Sequence, residues 1–163
     1  MRVAIFPESF PCETFLMDKI IGLARRGLEV HVYAVVLRKS QEFKALEPGL
    51  PANLTLHNLP AGWKLRWWSK MVRLPFMLCA ALLRAPHRTG RLIEYLCKRY
   101  GFGRELGNRL FKLLPIIGIK ADIIHFEWDL TAASYSDLFH LVKCPTVVSC
   151  RGAGTQYSPL VKP

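Results

Sequence analysis

Short, densely apolar runs alternate along this chain with longer stretches of helical spacing. Arg2 to Phe6 (RVAIF) is a β-rich run suited to a strand covered on both faces. Pro7 and Pro11 bracket a turn. Phe15 to Arg26 then carries apolar residues at Phe15, Leu16, Ile20, Leu23 and Ala24, one stripe of a helix. Gly27, after the basic pair Arg25-Arg26, is a helix stop. Glu29 to Leu37 (EVHVYAVVL) alternates at first and is then continuously apolar, as in a second strand. Beyond it the pattern predicts a short helix at Ser40 to Leu46, ended by Pro48-Gly49 and Pro51, and a third strand at Leu54 to Leu59. Helical segments follow at Trp63 to Leu83, Thr89 to Tyr100 and Phe102 to Leu114, punctuated by Pro86, Gly101 and Pro115. Asp122 to Phe126 (DIIHF) reads as a buried strand, Leu130 to Val142 as a helix, and Pro145 to Cys150 (PTVVSC) as a last strand. Arg151 to Gly154 forms a loop beyond it.

The order β-α-β, then β, helices and β-α-β predicts an α/β fold, a Rossmann-like and mostly parallel sheet with helices on both faces. Ligands of such sheets collect at the carboxyl ends of the strands. Three segments lie there: Pro7 to Thr14, Glu127 to Thr131 and Arg151 to Thr155.

The 163 residues, 51% of them hydrophobic, exclude a disordered chain and suit one domain with a real core. No apolar run reaches the roughly 18–20 residues of a membrane span. The start of the chain, opening straight into a strand, does not resemble a signal peptide, and a chain that is not exported is expected. The five cysteines, Cys12, Cys79, Cys97, Cys144 and Cys150, are irregularly spaced and match no zinc or redox motif. They read as reduced thiols of a cytosolic protein. Charge adds a sharper point. Between Pro60 and Lys120 there are thirteen basic and two acidic residues, which accounts for the whole net charge of +11. A strongly cationic helical insertion at about 60–120 therefore sits within an otherwise neutral chain, a sign of a local partner.

Three stretches resemble family 4 of the retaining glycosyltransferases. FPESFPCETFLMDKIIGLARRGLEVHVYA is similar to the family's opening strand, its F-P-x-x-S-E-T-F turn, a helix, and R-G-H-E-V before the second strand, with Leu28 where His is usual. ADIIHFEWDL is similar to D-I-I-H-x-H, and CPTVVSCRGAGTQYSP to P-x-V-x-T-x-H-G-x-D. Glu127 stands for the second histidine, Arg151 for the histidine before Gly152, and Gly154 for the aspartate, as in a subgroup found among capsule and exopolysaccharide enzymes. The resemblance implies the N-terminal, acceptor-side half of a GT-B fold. Its parent would transfer a sugar, with retention and without a metal or other cofactor, from a nucleotide-sugar donor to a lipid-linked or polysaccharide acceptor. Enzymes of this family continue into a second Rossmann-like domain that binds the nucleotide. A chain without that donor-binding domain is expected here, and the isolated chain is expected to be inactive.

Glycosyl transfer passes through an oxocarbenium-like state and needs the acceptor hydroxyl positioned and partly deprotonated. His125 and Glu127, two apart at a strand end, share a face and are the candidates for this role; a core histidine bonded to backbone is the plainer account of His125. Asp129 serves equally as a helix N-cap. Arg151, with Gly152 and Gly154 allowing close backbone approach, suits a donor phosphate, against a loop with a surface arginine. Ser9, Glu13 and Thr14, at the first strand-to-helix turn, suit a polar sugar hydroxyl or an anion, or only helix capping.

The insertion opens with Trp63, Lys64, Arg66, Trp67, Trp68, Lys70 and Arg73. Tryptophans among cations suit an anionic lipid headgroup interface, or else a packed helix with a solvated basic face. Nucleic acid is not expected, because no nucleic-acid motif accompanies the charge. The chain is thus expected in the cytoplasm, peripherally on the inner face of the membrane. The rival to an enzyme fragment is a non-catalytic membrane-surface binding module of the same fold. A sugar-nucleotide epimerase is a third possibility, but it needs acid-base carboxylates from both domains.

Overall fold

The structure, a computed structural model, describes residues 1–60 and 66–150. The chain divides into two compact units, Met1–Leu59 with Lys120–Phe139 and Lys143–Pro163, and Pro60–Ile119 with His140–Val142. In the first, β1 (Arg2–Phe6), β2 (Ser9–Phe10), α1 (Thr14–Arg25), β3 (Glu29–Val36), α2 (Gln41–Leu46) and β4 (Leu54–Asn58) come in chain order. The second unit supplies α3 (Trp67–Arg84), α4 (Pro86–Tyr100) and α5 (Arg104–Leu113). The first resumes with β5 (Ile123–Phe126), α6 (Asp129–Ser134) and β6 (Thr146–Val148).

Every pairing among the described strands is parallel. β1 lies between β3 and β5, β4 adds to β3, and β6 to β5. Alternate N–H groups of β3 point to opposite neighbours: Glu29, Val35 and Leu37 donate to Met1, Glu8 and Phe10, while Val30 donates to Asn53. β2 therefore prolongs the β1 edge of β3. The pleat gives the sheet two faces. On one, Val3, Ile5, Val30, Val32, Ala34 and Val36 form a core with Met17, Ile20 and Ala24 of α1. On the other, the Phe6 ring stacks on Tyr33 at 5.1 Å and on Phe126 at 4.7 Å, with Tyr135, just after α6, at 5.5 Å. The chain thus adopts the Rossmann-like α/β arrangement expected of it, with helices on both faces of a parallel sheet.

α1 ends where expected and by an identifiable device. Gly27, at φ +85°, lets its N–H reach Ala24 O at 2.9 Å and that of Leu28 reach Leu23 O at 3.3 Å. This 5→2 and 6→1 pair closes the orphan carbonyls of the last turn, and only glycine adopts such a φ without strain.

Two local expectations need correction. The turn from Pro7 to Pro11 contains a strand, β2, because Phe10 is fully buried in the α1-side core and its carbonyl accepts from Leu37 N at 2.8 Å. The helix expected at Leu130 to Val142 stops at Ser134 and resumes as a 3-10 helix at Ser136–His140. Tyr135 leaves helical geometry at φ −110° and ψ 17°, and its ring is engaged with Phe6 and Phe126. Ser134 Oγ donates to Thr131 O at 2.7 Å, a carbonyl that also accepts from Tyr135 N at 3.2 Å.

In the second unit α3, α4 and α5 pack on one another through Ala81, Leu92, Leu96, Leu106 and Leu110. Ala85 ends α3 and begins α4, with Pro86 at the first helical position, where its missing N–H costs nothing. Gly107 of α5 lies so near α3 that a Cβ there would meet Met71 Cε at 2.9 Å. Thr89 Oγ1, buried, donates to Ala81 O at 3.0 Å.

At the amino end of the sheet Arg2 and Glu29 pair at 2.9 Å, and the same carboxylate meets His31 Nε2 at 2.9 Å. His31 Nδ1 lies 2.8 Å from His57 Nε2, whose ring stacks on Tyr33 at 4.3 Å. Arg2 first, then His31, hold the Glu29 carboxyl down at about 2. Because the folded value lies below the ordinary one, this pairing stabilises the fold above about pH 4.5 and is lost as pH falls towards about 2. In urea denaturation at low salt, wild type should therefore exceed Glu29→Gln at neutral pH, and the gap should close across that acidic window. A gap independent of pH would exclude the ion pair as its source.

Candidate functional site

β1 and β5 are neighbours whose crossovers leave in opposite directions, α1 leading to β3 and α6 to β6. The carboxyl ends of β1 and β5 therefore mark the switch point of the sheet, the position at which ligands of such sheets bind. Phe6 and Phe126 are the last paired residues, and Glu127 N donates to Phe6 O at 3.4 Å. Glu127 is the first side chain past the strand, and it is 0% exposed.

Its surroundings form a small polar cluster on the α1 side of the sheet. Lys19 Nζ donates to Glu127 Oε1 at 2.8 Å and lies 2.9 Å from His125 Nδ1. His125 Nδ1 is 3.1 Å from the same Oε1, and His125 Nε2 is 3.0 Å from Ser149 Oγ. With Nδ1 unprotonated, the imidazole accepts from Lys19 there and donates from Nε2 to Ser149, and Glu127 Oε1 accepts from Lys19 alone; with Nδ1 protonated it donates to Glu127 Oε1, which then accepts from both Lys19 and His125. Oε2 is buried and has no hydrogen-bond partner among the described residues. Burial pushes this carboxyl up, but hydrogen bonds from His125 and Lys19 and their charges outweigh it, so the group stays below the ordinary carboxylate range. At neutral pH it is an anion with one oxygen served and one open. Burial, and then the Glu127 charge, push the neighbouring Cys12 thiol up to about 11, which keeps it a neutral group and no nucleophile.

The expected residues fall into three groups. His125 and Glu127 meet in this cluster. Ser9 lies within β2, its Oγ donating to Pro11 O at 3.4 Å. Glu13, not Thr14, is the N-cap of α1, and its side chain makes no capping bond; the cap acts through its carbonyl, which accepts from Leu16 and Met17. Arg151, Gly152 and Gly154 lie outside the described residues, as do Trp63 and Lys64. Of the remaining set read as lipid-facing, Arg66, Trp68 and Arg73 are exposed. Trp67 is half-buried, with its Nε1 enclosed, and Lys70 donates to Asn108 Oδ1 at 3.0 Å, so neither presents its polar end freely.

Lys19 and Ser149 were not anticipated. Lys19 sits three residues after buried Leu16 and just before buried Ile20. A lysine at the edge of a buried stripe is the available signal, since positions three apart share a helix face. Ser149 continues β6 beside β5 and donates its N–H to Phe126 O at 2.9 Å, which sequence spacing alone does not reveal. Among the described residues no group of three or more His, Cys, Asp or Glu could hold a metal ion, and no helix is long and apolar enough to cross a membrane. Comparisons with protein-family models, curated proteins and solved structures find no match to this chain.

Replacing Lys19 by Met should expose the cost of the buried anion. Breaking a buried pair costs roughly 3–5 kcal/mol, and partial screening of the lysine, 31% exposed, lowers this to about 2–3. The Glu127 carboxyl should rise, read by carbon-13 NMR titration. Lys19→Met with Glu127→Gln should be more stable than Lys19→Met alone; a double variant with merely additive losses would show that the two groups are not coupled.

Proposed function

We propose that this chain is the acceptor-side half of a retaining glycosyltransferase of the GT-B type, whose parent moves a sugar from a nucleotide-sugar donor to a lipid-linked or polysaccharide acceptor. The observation that carries the proposal is the Glu127 carboxylate, buried at the switch point of a parallel sheet with Oε2 unpartnered among the described residues. A buried carboxylate oxygen requires a hydrogen-bond donor, and a sugar hydroxyl is one of matching size and polarity. The motifs at the three strand ends support the same reading.

Each residue then has a role set by its chemistry. A carboxylate held below its ordinary range is a weak base. Glu127 therefore orients and polarises the acceptor hydroxyl more than it strips its proton; as the glycosidic bond forms, the bond from the sugar to the diphosphate breaks, and the proton passes late to the departing diphosphate. Lys19 and His125 are positioning residues, fixing Oε1 so that Oε2 faces the acceptor. Ser9, Glu13 and Thr14, on the turn after β1, would bound the acceptor, while Arg151 and the glycines at 152 and 154 would meet the donor diphosphate. Donor binding rests mainly with a second domain, and the cleft between two such domains would be the reaction site. A binding module of the same fold without turnover is the rival, and turnover separates the two.

Ligand-observed NMR of the chain with a panel of soluble oligosaccharide acceptors should show binding that Glu127→Ala weakens by about 10- to 100-fold, the loss of one charge-assisted hydrogen bond. Supplied with a nucleotide-sugar-binding C-terminal half, the assembled enzyme should turn over, and Glu127→Gln should lower kcat by about 10- to 100-fold with a smaller change in KM. No glycan binding by the wild-type chain, or an unchanged kcat in the variant, sinks the proposal.

A further inference from the structure

We propose that α3 is an interfacial helix, seated lengthwise in the headgroup region of an anionic lipid bilayer. The inference does not depend on what the sheet unit catalyses. It rests on an outward face of α3 that folding leaves uncovered. Trp68, Val72, Phe76 and Leu83 are between 69% and 87% exposed. At 100° per residue these four positions fall within an arc of roughly 80°, along about 22 Å of helix. Ala81 is buried on the opposite side, where α3 meets α4 and α5. The exposed stripe therefore lies opposite the packed side of the helix.

A wide apolar sector of which only part is packed is ordinarily covered by a further surface. The outer face of α3 is open, and no described helix is long and apolar enough to span a bilayer. Lying in an interface is the remaining arrangement. There the apolar face sinks to the boundary between headgroups and acyl chains, with tryptophan at its polar level.

Charge selects the occupant. Arg73 and Arg84, both exposed, border one flank of the stripe. The whole helical unit carries twelve basic and two acidic residues. A second copy seated on this face would bring two strongly cationic units together, whereas an anionic leaflet offers opposite charge along the same flank. The structure also redraws the lipid-facing set read from sequence. Trp68 and Arg73 remain in it. Arg66 is exposed as well, Val72, Phe76, Leu83 and Arg84 join the set, and Trp67 is half-buried while Lys70 bonds to Asn108.

The full chain should co-sediment with vesicles of phosphatidylglycerol and phosphatidylcholine, and not with phosphatidylcholine alone. Tryptophan emission should shift to the blue on binding, and Trp68→Phe should remove most of the shift. Val72→Ser with Phe76→Ser should weaken partitioning about 10- to 100-fold, and Arg73→Gln with Arg84→Gln about 30-fold. All these positions are exposed, and an unchanged circular dichroism spectrum establishes that the variants fold. Equal sedimentation with both vesicle types overturns the proposal, as does none with either. So does wild-type partitioning by the Val72/Phe76 variant. A dimer in velocity sedimentation that this variant dissolves, with no vesicle binding by the wild type, would assign the face to a second copy.

Discussion

The rest of the first unit depends on β1 being paired in parallel on both of its edges. Parallel neighbours cannot be joined by a hairpin, so each pairing requires a crossover over a face of the sheet. β1 has one crossover through α1 to β3 and, on its other edge, the neighbour β5, which continues through α6 to β6. Both edges and both faces of RVAIF are then buried, and Val3 to Phe6 admit no polar side chain. The same geometry leaves the carboxyl ends of β1 and β5 uncovered by a connecting helix. The first residue beyond that pairing in β5 is Glu127, so its depth follows from the sheet and its chemistry does not.

That distinction matters energetically. Burying a carboxylate costs several kcal/mol unless it is paired and fully hydrogen-bonded. Lys19 and His125 serve only Oε1, and a well-packed apolar trio of equal volume would be as stable or more so. Stability does not account for the cluster. Its features, an anion kept ionised, one oxygen fixed and one buried without a partner among the described residues, suit the acceptor hydroxyl proposed above. The Arg2–Glu29–His31 chain at the other end of the sheet differs in kind: its members are part-exposed, screened by solvent, and of small consequence beyond local order.

Strands buried on two faces were legible because they read as unbroken apolar runs, and α1 because its stripe and its Gly27 stop agree. What escaped reading was decided by contacts distant in sequence. β2 exists because Phe10 fills a core formed with residues of α1, β3 and α2. The break at Tyr135 follows from a ring held by Phe6, more than a hundred residues away in the chain. His125 and Glu127 were visible as a pair, since alternation alone puts them on one face. Lys19 was not, since its partners lie on another element and helical spacing marks it only as a borderline position. In α3 the pattern failed for a different reason. Apolar positions cover more than half of the helix circumference, so the pattern does not say which part of them turns inward, and only packing against α4 and α5 decides it.

Glu127 and the outer face of α3 are the two places where the chain departs from agreement between local pattern and global fold, and they depart in opposite senses. The buried carboxylate lowers the stability of the folded state relative to an apolar alternative. The exposed stripe leaves that stability nearly untouched, because Trp68, Val72, Phe76 and Leu83 meet water in the folded and the unfolded chain alike. Its cost is colloidal, since a contiguous apolar face invites association. Two cations on one flank, within a unit of twelve basic and two acidic residues, oppose self-association by repulsion while leaving the face open to an anionic surface. Folding requires neither the stripe nor the charge, and polar residues at those four positions would satisfy the fold equally well. Their combination on one helix is what the proposed anionic lipid surface would use.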